Sequence, residues 1–520
     1  MARSAVTFVL GTQQIGQAAA GNDFISGLCL YGPAPGTFGV TPMQPVYSVT
    51  DAQNKGITLD FADETKATAT VVITNIGATG DKIGLSISES NPVTAGNPTG
   101  ATVITLCTYT QAASDTTATI LAASIAASVN ANSYLTATST LTGYTATAAA
   151  GTITITARQG LGINLNTKSI VPTITGGIAT GAITPFLGGV YSKKAIWAYQ
   201  VSEFFRANPT GVLWVGFWAN PTYGAGGDRV VLQNAAQGTI RQFGVYDPTV
   251  TSAATMTSNG TLLQAEMVTL FGQYNPAIVH YAPNIKAITD LSTLQNQQAQ
   301  SNYYVSVILL QDGAAAGAQL YINSGISITD VGCSLGTTSA ASVNQDIGEI
   351  GAFNLTNSVE LAIPAFANGQ LVNAVPSNLL DQLDANRYIF ATTQPNITGT
   401  FFVNDWSSVT QTSPYYRMSR NRTMNKAIRL VYANVVPLLK SQITLNSDGT
   451  IDVTSIAKFT GAIIPVQTQM KNARELSNLA ITISSSQNII SAGKIVIGVA
   501  IQPTITADFI EVDMSFVAKI

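Results

Sequence analysis

Between residues 192 and 310 short apolar runs alternate with stretches of helical spacing, and this alternation restricts the possible folds more than any other feature of the chain. Ala195, Ala198, Val201 and Phe204 share one side of a helix over 192–207, which Asn208-Pro209 ends because the residue before a proline disfavours helical backbone. Apolar strands follow at 212–217, 240–245, 277–281 and 304–310, with helix-like stretches at 261–271 and 289–301 between them. Strands alternating with helices build an α/β layer around a largely parallel sheet. From about Asn386 the rhythm becomes strand, helix and several strands (387–391, 400–404, a basic helix, 443–445, 479–484, 495–502 and 508–518), which describes a second, α+β unit.

A third texture lies upstream. From Ser90 to Ala157 Asp115 is the one charged residue, and Thr, Ala and Ser dominate. The segments 68–73 and 82–87 alternate like strands around a turn at 77–81. Ser114-Asp115 can cap a helix carrying Leu121, Ile125 and Val129, and 144–156 returns to strand character. This reads as a mostly β module inserted at 58–183. Three units suit a length of 520 residues.

Charged residues make up 10% of the chain, against roughly 25% in ordinary soluble domains. So little charge suits a surface largely covered by neighbours, since bare low-charge surface associates. No apolar run is long enough to span a bilayer. The segment 4–10 reads as a strand rather than a signal peptide, because Gln13 and Gln14 interrupt a short apolar stretch. Cys29, Cys107 and Cys333 are odd in number and far apart, as buried hydrophobes would be and a disulfide framework would not. That usage is compatible with assembly in a reducing cytoplasm.

Against this background 417–440 stands out, with Arg417, Arg420, Arg422, Lys426, Arg429 and Lys440 and no acid. Met424, Ala427, Ile428, Val431, Val435 and Leu438 repeat at helical spacing, which gives one apolar face and one cationic face. The nearest acids in sequence, Asp405 and Asp448, are too far away for i,i+4 pairing along the helix. Either an anionic partner meets that face or water does. Arg417, nearest the helix start, is also placed to serve an internal carboxylate such as Asp405.

Catalytic signals are weak. His280, the lone histidine, ends an apolar strand and reads as structural. Gly332-Cys333-Ser334-Leu335-Gly336 matches the nucleophile-elbow pattern, but that class places its histidine after the serine, and His280 precedes it. The loop 224–229 lacks the Lys-Ser/Thr ending of a phosphate-binding loop and reads as a flexible surface loop. No zinc or calcium ligand spacing is present, so neither a metal nor a cofactor is expected. A net charge of -3 and few aromatics beside the basic helix place nucleic acid below a protein partner.

The run Phe401-Phe402-Val403-Asn404-Asp405-Trp406, then Tyr415-Tyr416-Arg417 and Asn421-Arg422-Thr423-Met424-Asn425-Lys426, with a turn at Gly449 and a last strand, resembles the C-terminal domain of contractile tail sheath proteins of phages and phage-tail-like contractile injection systems. Residues 202–209 and 213–215 are similar to one branch of that family. The resemblance implies a sheath-like core with an outward-projecting insertion and extended arms: 1–57 as N-terminal arm and start of the core, 58–183 as the inserted domain, 184–385 as the α/β core, and 386–520 as the C-terminal α+β domain with its arm strand. It implies a non-enzymatic subunit that forms a helical homo-oligomer around an inner tube protein, with baseplate and terminal cap proteins at the ends. Contraction would drive the tube into a target envelope. Assembly would occur in the bacterial cytoplasm, without membrane insertion by this chain and without direct nucleic-acid contact.

Arg417, Arg420, Arg422, Lys426 and Arg429 would then face the tube. Val6, Phe8 and Leu10 at one end, and Ile510, Val512, Met514 and Phe516 at the other, would lie in arm strands joining neighbouring subunits. From the residues alone the last strand could equally close its own subunit's sheet. Another phage-like structural protein, such as a tail tube, capsid or surface-layer component, would share the low charge and β-rich insertion.

Overall fold

The computed structural model describes residues 23–91, 100–132, 143–356 and 359–508. The chain opens with β1 (Ile25–Tyr31), whose seven residues are all buried, followed by β2 (Met43–Val46) and α1 (Val49–Asn54). The inserted unit comes next: β3 (Thr68–Ile76), β4 (Lys82–Ser90), β5 (Ala101–Thr110), α2 (Ala118–Asn130), β6 (Thr145–Ala149), β7 (Thr152–Thr156), β8 (Val171–Thr175) and β9 (Ile178–Leu187). These strands form a sheet ordered β6-β7-β3-β9 and another ordered β5-β4-β8, enclosing with α2 a separate core of residues such as Val71, Ile83, Leu85, Ile125 and Ile155. Alternation puts those side chains inward and threonines outward along β3 and β7. Thr117, not Ser114 or Asp115, caps α2. Asp115 instead accepts hydrogen bonds from Tyr109, Ser124 and the amide of Ala112.

Strand pairing runs past residue 183, since β9 reaches Leu187 and Thr65 bridges Val190. Strand pairing in this unit thus spans 65–190. Side chains of the core grip the insertion at this junction. Asn323 donates to the Gly160 carbonyl at 2.6 Å and accepts from Asn164 at 2.9 Å, while Glu64 takes the amide of Gly160 at 2.6 Å.

The core resumes with α3 (Lys193–Ala207), β10 (Val212–Trp218), α4 (Asp228–Ala235), β11 (Gln242–Asp247), α5 (Ala253–Gly272), β12 (Ile278–Pro283), β13 (Val305–Ile308), β14 (Leu310–Asp312), α6 (Ala316–Ser324), α7 (Val331–Ala340), β15 (Pro364–Phe366), α8 (Ser377–Ala385) and β16 (Tyr388–Ile389). Its seven-stranded sheet has the order β16-β13-β12-β11-β1-β10-β2, parallel except for β2. β11, β12 and β13 are buried throughout, as sheets covered on both faces require. α4 and α5 pack on one face, and α1, α3, α6 and α7 on the other. β16 belongs to this sheet, so the core extends beyond residue 385.

The helix expected over 289–301 is absent. Asp290 and Asn296 turn their side chains onto the amides of Ser292 and Gln298, which breaks the segment into two short 3-10 turns. A hairpin of β17 (Ala391–Gln394) and β18 (Ile397–Phe402) leads to α9 (Met418–Val435), α10 (Val453–Asn472), β19 (Leu476–Thr482) and β20 (Gly498–Pro503). The strand expected at 443–445 reduces to a bridge between Leu445 and Ile451. Ala427, Val431 and Val435 of α9 meet Ile463, Val466 and Met470 of α10 and Leu476, Leu479 and Ile501 of the β19–β20 ribbon.

Candidate functional site

The parallel strands follow the doubly wound order 2-1-3-4-5-6 in the sequence β1, β10, β11, β12, β13, β16, with the reversal between β1 and β11. Such folds bind ligands beyond the carboxyl ends of the strands at this reversal. Here that place is filled. Arg229 is buried there, donating to Glu266 at 2.7 Å, to the Tyr31 hydroxyl at 2.9 Å and to the Thr222 carbonyl at 2.7 Å. Tyr223 stacks on its guanidinium and donates to Asp247. The 224–229 loop is thus not simply a flexible surface loop: Asp228 begins α4 and Arg229 plugs the crevice.

Ser334 and His280 do meet, with the serine hydroxyl 2.8 Å from His280 Nδ1. Both are wholly buried, and Ser334 lies inside α7 rather than on a strand-to-helix turn, so no substrate carbonyl can reach it. The two glycines of the motif have a packing role. A Cβ on Gly332 would strike the Gln200 carbonyl, and one on Gly336 the Phe204 carbonyl, so together they let α7 lie against the backbone of α3. Glu203, Asp330 and Cys333 gather nearby, but Arg206 pairs with Glu203 and donates to Cys333, and Asp330 caps α7 through the Cys333 amide at 2.9 Å.

Burial, with the charge of Arg422 adding to it, lowers the pKa of His280 to about 3. The neutral ring is the folded form, while the unfolded chain protonates near pH 6.5, so this residue's contribution to stability is full above 6.5 and is lost as pH falls toward 3. Between pH 7 and pH 5 the loss is about 2 kcal/mol. His280→Gln is expected to remove this acid-sensitive component, seen as a smaller shift of the urea midpoint between the two pH values. An unchanged shift would place the acid sensitivity elsewhere.

The remaining concentration of chemistry is α9, and the structure corrects the expected exposed cationic face. Arg417, Arg422 and Lys426 are buried. Arg417 pairs with Asp346, with Asp405 at 2.8 Å and with Asp508 at 2.6 Å. The link to Asp405 is the one the sequence suggested, and Asp405 also accepts from the Ser419 amide at 2.9 Å in the first turn of α9. Burial and the neighbouring Asp405 push Asp346 up to about 8. Arg422 donates to the carbonyls of Ala341 and Ser342 at 3.0 Å each, and burial lowers it to about 10. Lys426 pairs with Asp23 and Glu475 at 2.6 Å each, and Arg429 with Asp23 at 2.6 Å.

Trp406 lies between the guanidinium groups of Arg387 and Arg417, and Tyr416 between those of Arg417 and Arg420. Half-exposed Arg420 ends that stack and makes no ion pair among the described residues. It is the one member of the expected tube-facing set that keeps an unneutralised charge at the surface. The acids that consume the others, Asp23, Asp346, Glu475 and Asp508, were not singled out from the sequence, because pairing across such separations leaves no local pattern. Val6, Phe8, Leu10, Ile510, Val512, Met514 and Phe516 lie outside the described residues. Cys29, Cys107 and Cys333 are free and buried, as expected. Among the described residues no helix is long and apolar enough to cross a membrane.

A family model described as DUF2586, C-terminal domain, matches residues 415–520, a stretch that opens just ahead of α9 and takes in α10 and the ribbon. Among solved structures the chain is similar to the contracted helical sheath of the anti-feeding prophage, with a TM-score of 0.43 and 12% identity over 61% of this chain and 81% of that one. It is also similar to a chain in the baseplate of the same prophage (TM-score 0.40, 12% identity, 61% and 80% covered). A third similar structure is the contracted sheath complex of PVC, an extracellular contractile injection system (TM-score 0.39, 11% identity, 62% and 80% covered). No curated protein sequence matches.

Proposed function

We propose that the chain is a structural subunit of a contractile sheath, polymerising helically around an inner tube and contracting to drive that tube into a target envelope. The observation that carries this reading is the β19–β20 ribbon. It has two strands, and among the described residues neither has a second neighbour. A two-stranded ribbon is marginal by itself, and unpaired edges are templates for further strands. Exposed apolar side chains, Ile490, Val496 and Ile505, lie close to it in the chain. An added strand making five hydrogen bonds would contribute about 5 kcal/mol, enough to link subunits while their cores rotate and repack.

The occupants proposed for the two edges are the strands at 4–10 and 508–518 of neighbouring copies. The resemblance of residues 401–426 to sheath proteins supports the same reading, which does not rest on the partial overlap with the solved assemblies. Non-closing contacts of this kind build open helices rather than rings. The low charge of the chain suits a surface covered by neighbours, and the filled crevice and sealed Ser334–His280 pair suit a non-enzymatic role. Arg420 is the α9 residue proposed to meet the tube, with baseplate and cap proteins at the ends of the polymer and the insertion projecting outward. The experiment is removal of 509–520. It should abolish polymers while leaving a soluble chain with near-normal circular dichroism, whereas polymers that persist would count against strand exchange.

A further inference from the structure

We infer that α9 is a two-point anchor for the segments that precede residue 23 and follow residue 508, holding Asp508 at Arg417 and Asp23 at Lys426 and Arg429. Asp508 leads into residues 509–520, and Asp23 follows residues 1–22. The two anchor points are nine residues apart, about 13 Å along one helix. Each root has a second hold. Asn344 donates to Thr504 at 2.9 Å and to the Arg474 carbonyl at 3.2 Å, and Gln242 of β11 donates to the Asp23 carbonyl at 3.1 Å.

The charge balance carries the inference furthest. Around α9 lie the cations Arg241, Arg417, Arg422, Lys426 and Arg429 and the acids Asp23, Asp346, Asp405, Glu475 and Asp508. Without the two root acids the same cations would face only Asp346, Asp405 and Glu475, and buried charge without a counter-charge is strongly unfavourable. The root acids, themselves partly exposed, thus supply counter-charge to cations that are buried. The helix is itself fixed to the core, through Arg422 to the end of α7 and through Asn421, which donates to the Tyr303 carbonyl at 2.7 Å. Tension from the residues after 508 would reach the main sheet through α9, while the Asp23 anchor ties α9 to the chain just ahead of β1.

The inference concerns the single chain and stands or falls independently of the sheath reading. Spin-label mobility in the dilute chain tests it, with a nitroxide on Ala507→Cys or Phe24→Cys, since Cys29, Cys107 and Cys333 are buried. Combined with Asp508→Asn, the label at 507 should gain the mobility of a free segment while the label at 24 keeps its parent spectrum. Asp23→Asn should mobilise the label at 24 and not the one at 507, and the charge-keeping Asp508→Glu should stay close to the parent. Unchanged mobility at either root on loss of its acid would overturn the anchor. Mobilisation of both labels by either variant would refute two separate anchor points.

Discussion

Arg417→Ala is expected to destabilise the chain by about 3–5 kcal/mol, a large share of the stability of a typical domain. Arg417 is buried at the entrance to α9, and its guanidinium is the shared partner of Asp346, Asp405 and Asp508. Truncation leaves Asp405 and Asp346 in a site that water does not reach, and it also strips the rings of Trp406 and Tyr416 of the cation between them. The sign of the pH dependence follows from the acids. Arg417 stabilises ionised Asp346, which burial pushes up to about 8, so the variant's deficit should shrink from pH 9 to pH 5 as that carboxyl protonates. Urea midpoints at the two pH values measure this. A loss below about 1 kcal/mol, typical of an exposed pair, would mean that the network is solvated.

Gly332→Val is expected to cost about 3 kcal/mol or more, and the same change at Gly336 a similar amount. The colliding atoms are backbone carbonyls of α3, at Gln200 and Phe204, which cannot rotate aside as a side chain could. Relief requires α7 and α3 to separate, which opens the layer containing Phe204, Val331 and Leu335. Thermal unfolding of the purified variants would show the cost as a marked fall in midpoint. Near-parent stability would show that the two helices are not in backbone contact.

Much of the core was readable because its signals are local. The helix at Lys193–Ala207 and the buried strands at Val212–Trp218 and Gln242–Asp247 stand where apolar spacing and Asn208-Pro209 put them. Gly332 and Gly336 were read as a candidate nucleophile turn because the pattern does not distinguish an exposed elbow from two small residues one helical turn apart. α10 went unread because Gly461 and Pro465 interrupt its middle, although Phe459, Ile463, Val466 and Met470 keep the spacing and Asp452 caps it. α9 was legible as a basic amphipathic helix, but its burial was not. Apart from Asp405, which the sequence did suggest, the acids that neutralise it lie 71, 91, 49 and 406 residues away, beyond any local pattern of charge.

Electron microscopy of the purified chain beside the chain lacking 509–520 distinguishes strand-linked cylinders from isolated subunits. The full chain should form hollow cylinders, wider when contracted than when extended on a tube, and the shortened one only dispersed, folded subunits. Closed rings, flat arrays, or a full chain that remains monomeric at high concentration would contradict the sheath reading.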